Sequence, residues 1–346
     1  MNFAPAIMNN STADIASGSA STALRAMRLT LYPLTFVVGL VGNVLVCVLV
    51  FTWRKTKNFN NSRYFILNLS ISDLLVLIMF IPFDLAYLEN DMVWKYGLFM
   101  CKFINTLSFL SVIVSGTTLA AISVDRYRAV VHPLSPPFTF RTVSLIILVI
   151  WVYSVSTLLP FAESLTILPR GSCQNDYAWW PNYTTVQLTF VLCAFTPGFV
   201  IPITCIVVFY LLIARHLRKE RENHDLLLRG DIARLRVRQN SKMIRILSCL
   251  TVAFTICILP SYTIILMVMF YKGTSSLPYI DEVHEFTRLL MTANSCLNPV
   301  LYSVVSREFR AELRGLLKRR RVKRARTTFS TTKNTSFMVS KNETPC

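Results

Sequence analysis

Histidine, glycine and charge are all scarce in this 346-residue chain, and each shortage removes a class of chemistry. The four histidines (132, 216, 224 and 284) include no pair at metal-ligand spacing, and no HExxH, CxxC or glycine-rich phosphate loop occurs among only 10 glycines. An enzyme is therefore not expected. Charged side chains make up 16% against 53% apolar ones, and mean hydropathy is +0.49. That is far more apolar surface than a water-soluble domain of this size carries, so a membrane is the first reading. Acids are the scarcer sign, 18 against 36 basic residues, which leaves +18 concentrated on few segments. Residues 1–28 lack a basic run followed by an apolar core, so no cleavable signal is expected and the first span must direct insertion.

A hydrocarbon core about 30 Å thick takes roughly 20 apolar residues of helix. Seven stretches qualify: approximately 29–53, 64–88, 100–131, 142–162, 186–214, 243–271 and 279–304. Prolines at 82, 160, 202, 260 and 299 fall inside them, where neighbours satisfy the freed carbonyls and a kink remains. With the amino terminus outside, 29 of the 36 Lys and Arg face the cytoplasm with 8 carboxylates, whereas the outer side receives 7 with 9 carboxylates. The positive-inside rule then fixes the orientation. Asn9, Asn10 and Asn182 lie in outer segments and are glycosylation candidates; Asn60, Asn68, Asn334 and Asn342 match the same short pattern in inner or buried segments.

After the last span, Phe309, Leu313, Leu316 and Leu317 recur at helical spacing with Arg307, Glu308, Arg310 and Arg314 on other faces. This predicts a short helix in the interface. Seven of the nine residues from Lys318 to Arg326 are basic, suiting anionic inner-leaflet lipids. The expected fold is an all-α membrane protein: an extracellular N-terminal segment (1–28), a seven-transmembrane helix bundle (29–304), an eighth, amphipathic interfacial helix (305–318) and a disordered cytoplasmic tail (319–346).

The chemistry lies in polar residues inside spans, which are costly to bury and default to functional hypotheses. Asn43, Asp73, Asn294, Ser295 and Asn298 sit mid-span, and Asp125-Arg126-Tyr127 closes the inner end of the third span. Together with Trp151, Pro202, Tyr210, Phe254, Pro260 and the run Asn298-Pro299 to Tyr302, they place one or more landmarks on each span. Over about residues 30–318 the chain resembles rhodopsin-like (class A) G-protein-coupled receptors.

That resemblance implies that Asp125 holds Arg126 at rest and that Arg126 meets a heterotrimeric G protein when the sixth span moves. A desolvated guanidinium needs a partner in each state. Tyr127, Tyr210, Phe254, Pro260, Pro299 and Tyr302 belong to the same implied switch. Asp73 resembles the carboxylate of the family's sodium pocket, with Ser115, Asn294, Ser295 and Asn298 as oxygen donors; a protonated Asp73 in a packing network is the alternative. Cys101 and Cys173 match the positions of the family's outer-loop disulfide, with two free thiols the alternative. Three departures stand out. Ile258 occupies the place of the tryptophan two residues before Pro260, Gly116 replaces a bulky aliphatic residue, and Asn240 stands where some relatives carry an acid. Raised basal activity is the expectation.

Ser108 stands where amine receptors have an aspartate, and no lysine in the seventh span could hold retinal; Thr292 is at that place. Acids outnumber bases around the outer rim, among them Asp84, Glu163, Asp281 and Glu285, which favours a cationic ligand. With Trp179, Trp180 and Tyr183 in the second outer loop, the chain looks most like the neuropeptide branch near somatostatin, opioid, galanin and allatostatin receptors. Asp84, Ser108, Glu163, His284 and Arg288 are the expected ligand contacts. A receptor for a lipid or other small molecule is the alternative, and a transporter a distant one, since neither internal symmetry nor broken mid-membrane helices are evident. Arrestin and a receptor kinase are implied partners through Thr327, Thr328, Ser330, Thr331 and Thr332. Nucleic acid is not an expected partner, and the plasma membrane is the expected location.

Overall fold

The computed structural model describes residues 11–53, 61–176, 181–222, 231–271, 274, 277, 279–306 and 309–315. Residues 1–301 form one compact unit and residues 302–346 a second.

Backbone groups in a bilayer must bond internally, so the apolar runs fold as helices. They are α1 (Ser11–Trp53), α2 (Arg63–Leu75), α3 (Ile81–Glu89), α4 (Gly97–Val131), α5 (Phe140–Ser164), α6 (Tyr183–Phe190), α7 (Ile201–Glu222), α8 (Asp231–Phe270) and α9 (Ile280–Val305). A π-helical turn, Val76–Phe80, joins α2 to α3, and a longer one, Val191–Val200, joins α6 to α7. The second and fifth spans are therefore continuous rods of mixed winding. Among the described residues six spans are long and apolar enough to cross a membrane, from 25 to 37 residues each. The seventh, α9, has comparable length at 26 residues, but Asn294, Ser295 and Asn298 interrupt its apolar run.

Helix ends differ most from the sequence expectation. Hydropathy places the first span at 29, whereas α1 begins at Ser11, because a polar stretch without proline, even one containing Gly18, can continue a helix that the membrane has already nucleated. Likewise α7 continues to Glu222 and α8 starts at Asp231. At 1.5 Å per residue the 40 residues of α8 span about 60 Å, roughly twice the hydrocarbon core. Two caps fix other starts. Thr139 Oγ1 accepts from Thr142 N at 3.2 Å to open α5, and the exposed Asn182 Oδ1 accepts from Thr185 N at 2.8 Å to open α6.

The third span is central. α4 packs on α2, α5, α7, α8 and the long π-helical segment. Between α5 and α6, Leu165–Ile167 (β1) and Cys173–Asn175 (β2) form an antiparallel hairpin with Ile167 opposite Cys173. A disulfide joins Cys101 of α4 to Cys173 of β2. Trp94 N donates to Gly171 O at 2.8 Å, so the hairpin is held on two sides over a core of Phe80, Tyr87, Trp94, Ile104 and Leu165. Gly171, with φ of 81°, supplies the left-handed position that its tight turn needs.

Where α1 meets α9 the helices approach closely. A Cβ on Gly42 would stand 2.6 Å from Pro299 Cγ, and one on Gly39 3.3 Å from Cys296 Cβ. Small residues allow this contact where no hydrophobic force draws helices together in lipid. In the second unit residues 309–315 are helical, and Ser306 Oγ accepts from Phe309 N at 3.1 Å to start them. Arg307, Glu308, Leu316, Leu317 and the basic tail lie outside the described residues.

Candidate functional site

At the inner end of α4, Asp125 Oδ2 accepts from Arg126 Nη2 at 2.5 Å and Nε at 3.1 Å. Its other oxygen accepts from Ser62 Oγ at 2.7 Å. The carboxylate is thus shared between the neighbouring guanidinium and the start of α2. Both side chains are largely buried, 8% and 16% exposed, so each depends on the other for charge compensation. Ser62 has no counterpart in the sequence reading, which noted only its sequon. Tyr127 packs its ring on Phe209 of α7, and Tyr210 shares a side-chain hydrogen bond with Thr251 of α8. The side chain of Asn240 lies outside the described residues.

Higher in the bundle, Trp151 Nε1 donates to Asn68 Oδ1 at 2.8 Å, and Asn68 Nδ2 donates to Thr118 Oγ1 at 2.9 Å. This buried relay ties α5, α2 and α4 together. Asp73 is fully buried, and its Oδ2 accepts from Asn298 Nδ2 at 2.8 Å. Asn43 Nδ2 donates to Ser295 O at 2.8 Å, which fixes α1 to α9 beside it. Three buried oxygens, one each on α1, α2 and α4, have no hydrogen-bond partner: Asn43 Oδ1, Asp73 Oδ1 and Ser115 Oγ. Leaving such atoms unsatisfied costs about 1–3 kcal/mol each. One carboxylate among neutral oxygens fits a monovalent cation, and no cluster of three or more His, Cys, Asp or Glu exists among the described residues to hold a divalent one. Asn294 is also buried, on the preceding turn of α9.

At mid-bundle Phe254 and Ile258 are buried, and the glycine at 116 acquires a reason. A Cβ there would meet Gly198 O at 3.1 Å, Phe254 Cζ at 3.2 Å and Pro202 Cβ at 3.3 Å. The wide winding of the fifth span brings its backbone against α4 and takes the space of a side chain. Tyr262, one turn beyond Ile258, was not singled out by its sequence context. It is 1% exposed, donates its hydroxyl to Ala194 O at 3.2 Å and lies among Phe109, Phe190, Phe195 and Phe199. A Cβ on Gly198 would stand 2.5 Å from its hydroxyl. The Pro197-Gly198 pair in the fifth span was the available signal.

The chain has counterparts among known proteins. The sequence profile of the 7 transmembrane receptor (rhodopsin family) matches residues 42–302. The chain belongs to this family. It is a multi-pass membrane receptor and not an enzyme. Similar proteins include galanin receptor type 1 of Rattus norvegicus, 32% identical over 295 residues, covering 84% of this chain and 82% of that one. Somatostatin receptor type 4 of Rattus norvegicus is 31% identical, covering 83% and 71%. Tachykinin-like peptides receptor 99D of Drosophila melanogaster is 27% identical, covering 87% and 59%.

The end of the bundle that carries Asp84 and Arg288 differs from the open acidic rim expected there. Asp84 is 1% exposed, accepts from Tyr32 Oη at 2.6 Å and forms an ion pair with Arg288. Arg28 bridges Glu89 at 2.6 Å and Glu285 at 3.0 Å, and Arg25 also reaches Glu89 at 2.8 Å. Arg25 and Arg28 belong to the helical extension of α1, in the segment that hydropathy places before the first span. Of the five expected ligand contacts, only Asp84 and Arg288 come together. Ser108 is buried and donates to Asn105 O; Glu163 is exposed and lies 3.4 Å from Lys102; His284 is exposed on the turn of α9 before Arg288. Tyr302 packs on Phe309 within the second unit. Asn9, Asn10, Lys272, Trp179, Trp180 and the tail lie outside the described residues.

Proposed function

We propose that this receptor converts binding of an extracellular peptide into activation of a heterotrimeric G protein at its cytoplasmic end, from the plasma membrane with its amino terminus outside. The observation that carries the proposal is the buried Asp125–Arg126 pair near the end of α4, a helix that packs on both α7 and α8. Outward movement of α8 would free a guanidinium at the membrane boundary that a partner helix can engage. The peptide class is supported by relatives named for galanin, somatostatin and tachykinin-like peptides.

The orphaned oxygens of Asp73 and Ser115, with Asn294, Ser295 and Asn298, would hold a sodium ion that favours the resting packing. Phosphorylation at Thr327, Thr328, Ser330, Thr331 and Thr332 by a receptor kinase would recruit arrestin, and Lys318 to Arg326 would bind anionic inner-leaflet lipids. Exposed Asn182, with Asn9 and Asn10, would carry glycans.

A peptide-library screen on cells expressing the full chain, read with a panel of G-protein biosensors, tests the proposal. A dose-dependent response to a peptide is expected. A response confined to lipids or other small molecules would replace the peptide reading with the small-molecule one.

A further inference from the structure

We infer that Arg288 is the ligand-anchoring residue of the outer cavity and that it receives a carboxylate, so the activating peptide is anchored by an anionic group rather than a cationic one. This rests on the peptide-receptor reading above. Three of the acids that would attract a cation, Asp84, Glu89 and Glu285, are already paired with arginines. Asp84 has one oxygen on Arg288 and the other on Tyr32, and Glu89 and Glu285 are held by Arg25 and Arg28. Three carboxylates meet three guanidiniums, and the cluster has no net charge.

Access separates the members of the central pair. The Asp84 side chain is 1% exposed, whereas that of Arg288 is 23% exposed. Asp84 engages Nη2 of the fork, and the exposed part of the Arg288 side chain is what remains for a ligand. The Phe80 ring lies 5.4 Å from the guanidinium carbon and holds the plane in place. Tyr87, beside Arg288, is bonded to Gln174 of the disulfide-locked hairpin, which sets this site beneath the second outer loop. His284 lies exposed one turn outward on the same helix and offers a further donor.

The two ligand signs then differ in what they disrupt. An ammonium group would have to displace Arg288 from Asp84 and leave a guanidinium unpaired. A carboxylate can join the exposed side of the fork without displacing Asp84, in the planar geometry that arginine favours.

The test uses one peptide library synthesised in three forms: free C-terminal acid, C-terminal amide, and amide with Asp and Glu replaced by Asn and Gln. Each is applied to cells bearing wild-type receptor, Arg288→Gln, Arg288→Lys or Asp84→Asn, with potencies compared at matched surface expression. Agonists are expected to lose at least tenfold in potency when their carboxylate is removed, the first step implicating the terminus and the second a side chain. That acid-to-neutral ratio is expected to collapse in Arg288→Gln and shrink in Arg288→Lys, which keeps the charge that Asp84 needs. Asp84→Asn is expected to retain or raise the potency of the acids. Equal potency of all three forms, an unchanged ratio in both arginine variants, or loss of agonism in Asp84→Asn would overturn the inference while leaving a peptide receptor. Absence of any peptide agonist would overturn the peptide reading and the inference together.

Discussion

Replacing Gly198 by alanine should loosen the grip of the sixth span on the fifth. The new methyl would lie 2.5 Å from the Tyr262 hydroxyl and 3.2 Å from Ile113 Cγ1, the former about 1 Å inside an ordinary contact of roughly 3.5 Å. Tyr262 has little room to retreat, with Phe195 5.3 Å and Phe199 6.1 Å away between ring centres. Overpacking of this kind costs about 1–3 kcal/mol, and displacement of the hydroxyl from Ala194 O adds about 0.5–1.5 kcal/mol. A change of about 1–3 kcal/mol in a two-state equilibrium is roughly 5- to 150-fold in population. Basal G-protein signalling should therefore rise by at least about fivefold, and thermal stability should fall. Buried Cys257, an unpaired thiol on α8, provides the reporter for a thiol-reactive dye during heating. Tyr262→Phe deletes the atom that the methyl strikes, so the double variant should recover most of the lost stability. Strictly additive losses, or wild-type basal signalling in Gly198→Ala, would refute the claim that Tyr262 couples the two spans.

Three further outcomes follow from the same contacts. Ser62→Ala removes one of the two restraints on Asp125, worth about 0.5–1.5 kcal/mol, and should raise unliganded signalling about 2- to 10-fold in a biosensor assay. Sodium should lower agonist potency in the wild type and have no effect in Asp73→Asn; equal sensitivity in both would count against the cation site. Cys101→Ser releases the hairpin from α4 and should cost about 2–4 kcal/mol, measured as a lower melting temperature and as loss of peptide binding at the surface.

Much of the architecture was legible because a span announces itself as an unbroken apolar run, and the polar exceptions within those runs marked the interior faces. Asp73 with Asn298, and Asp125 with Arg126, could be singled out from their cost in lipid alone. Helix ends were not legible, since hydropathy stops at the membrane while backbone hydrogen bonding does not; hence Ser11 and Asp231. Winding was hidden for a related reason. An apolar run such as Val191–Val200 satisfies an α or a π register equally, and only Gly116 and Gly198 record that the fifth span bulges toward α4. The outer ion pairs were the largest gap. Asp84 and Arg288 are 204 residues apart, and charge counting cannot tell an acid that faces a ligand from one already bound to a tyrosine and an arginine. The rim therefore read as acidic when its central cluster is neutral.

The claim on which the account depends is that an outer ligand releases Arg126 to a G protein. Agonist-dependent nucleotide exchange on a purified heterotrimer, catalysed by the full-length receptor in lipid nanodiscs with a peptide identified by screening, tests it most directly. The account predicts that the peptide accelerates exchange on wild-type receptor and that Arg126→Ala, still binding the peptide, gives none above the receptor-free rate. Equal acceleration by both receptors, or none by the wild type with peptide bound, would contradict it.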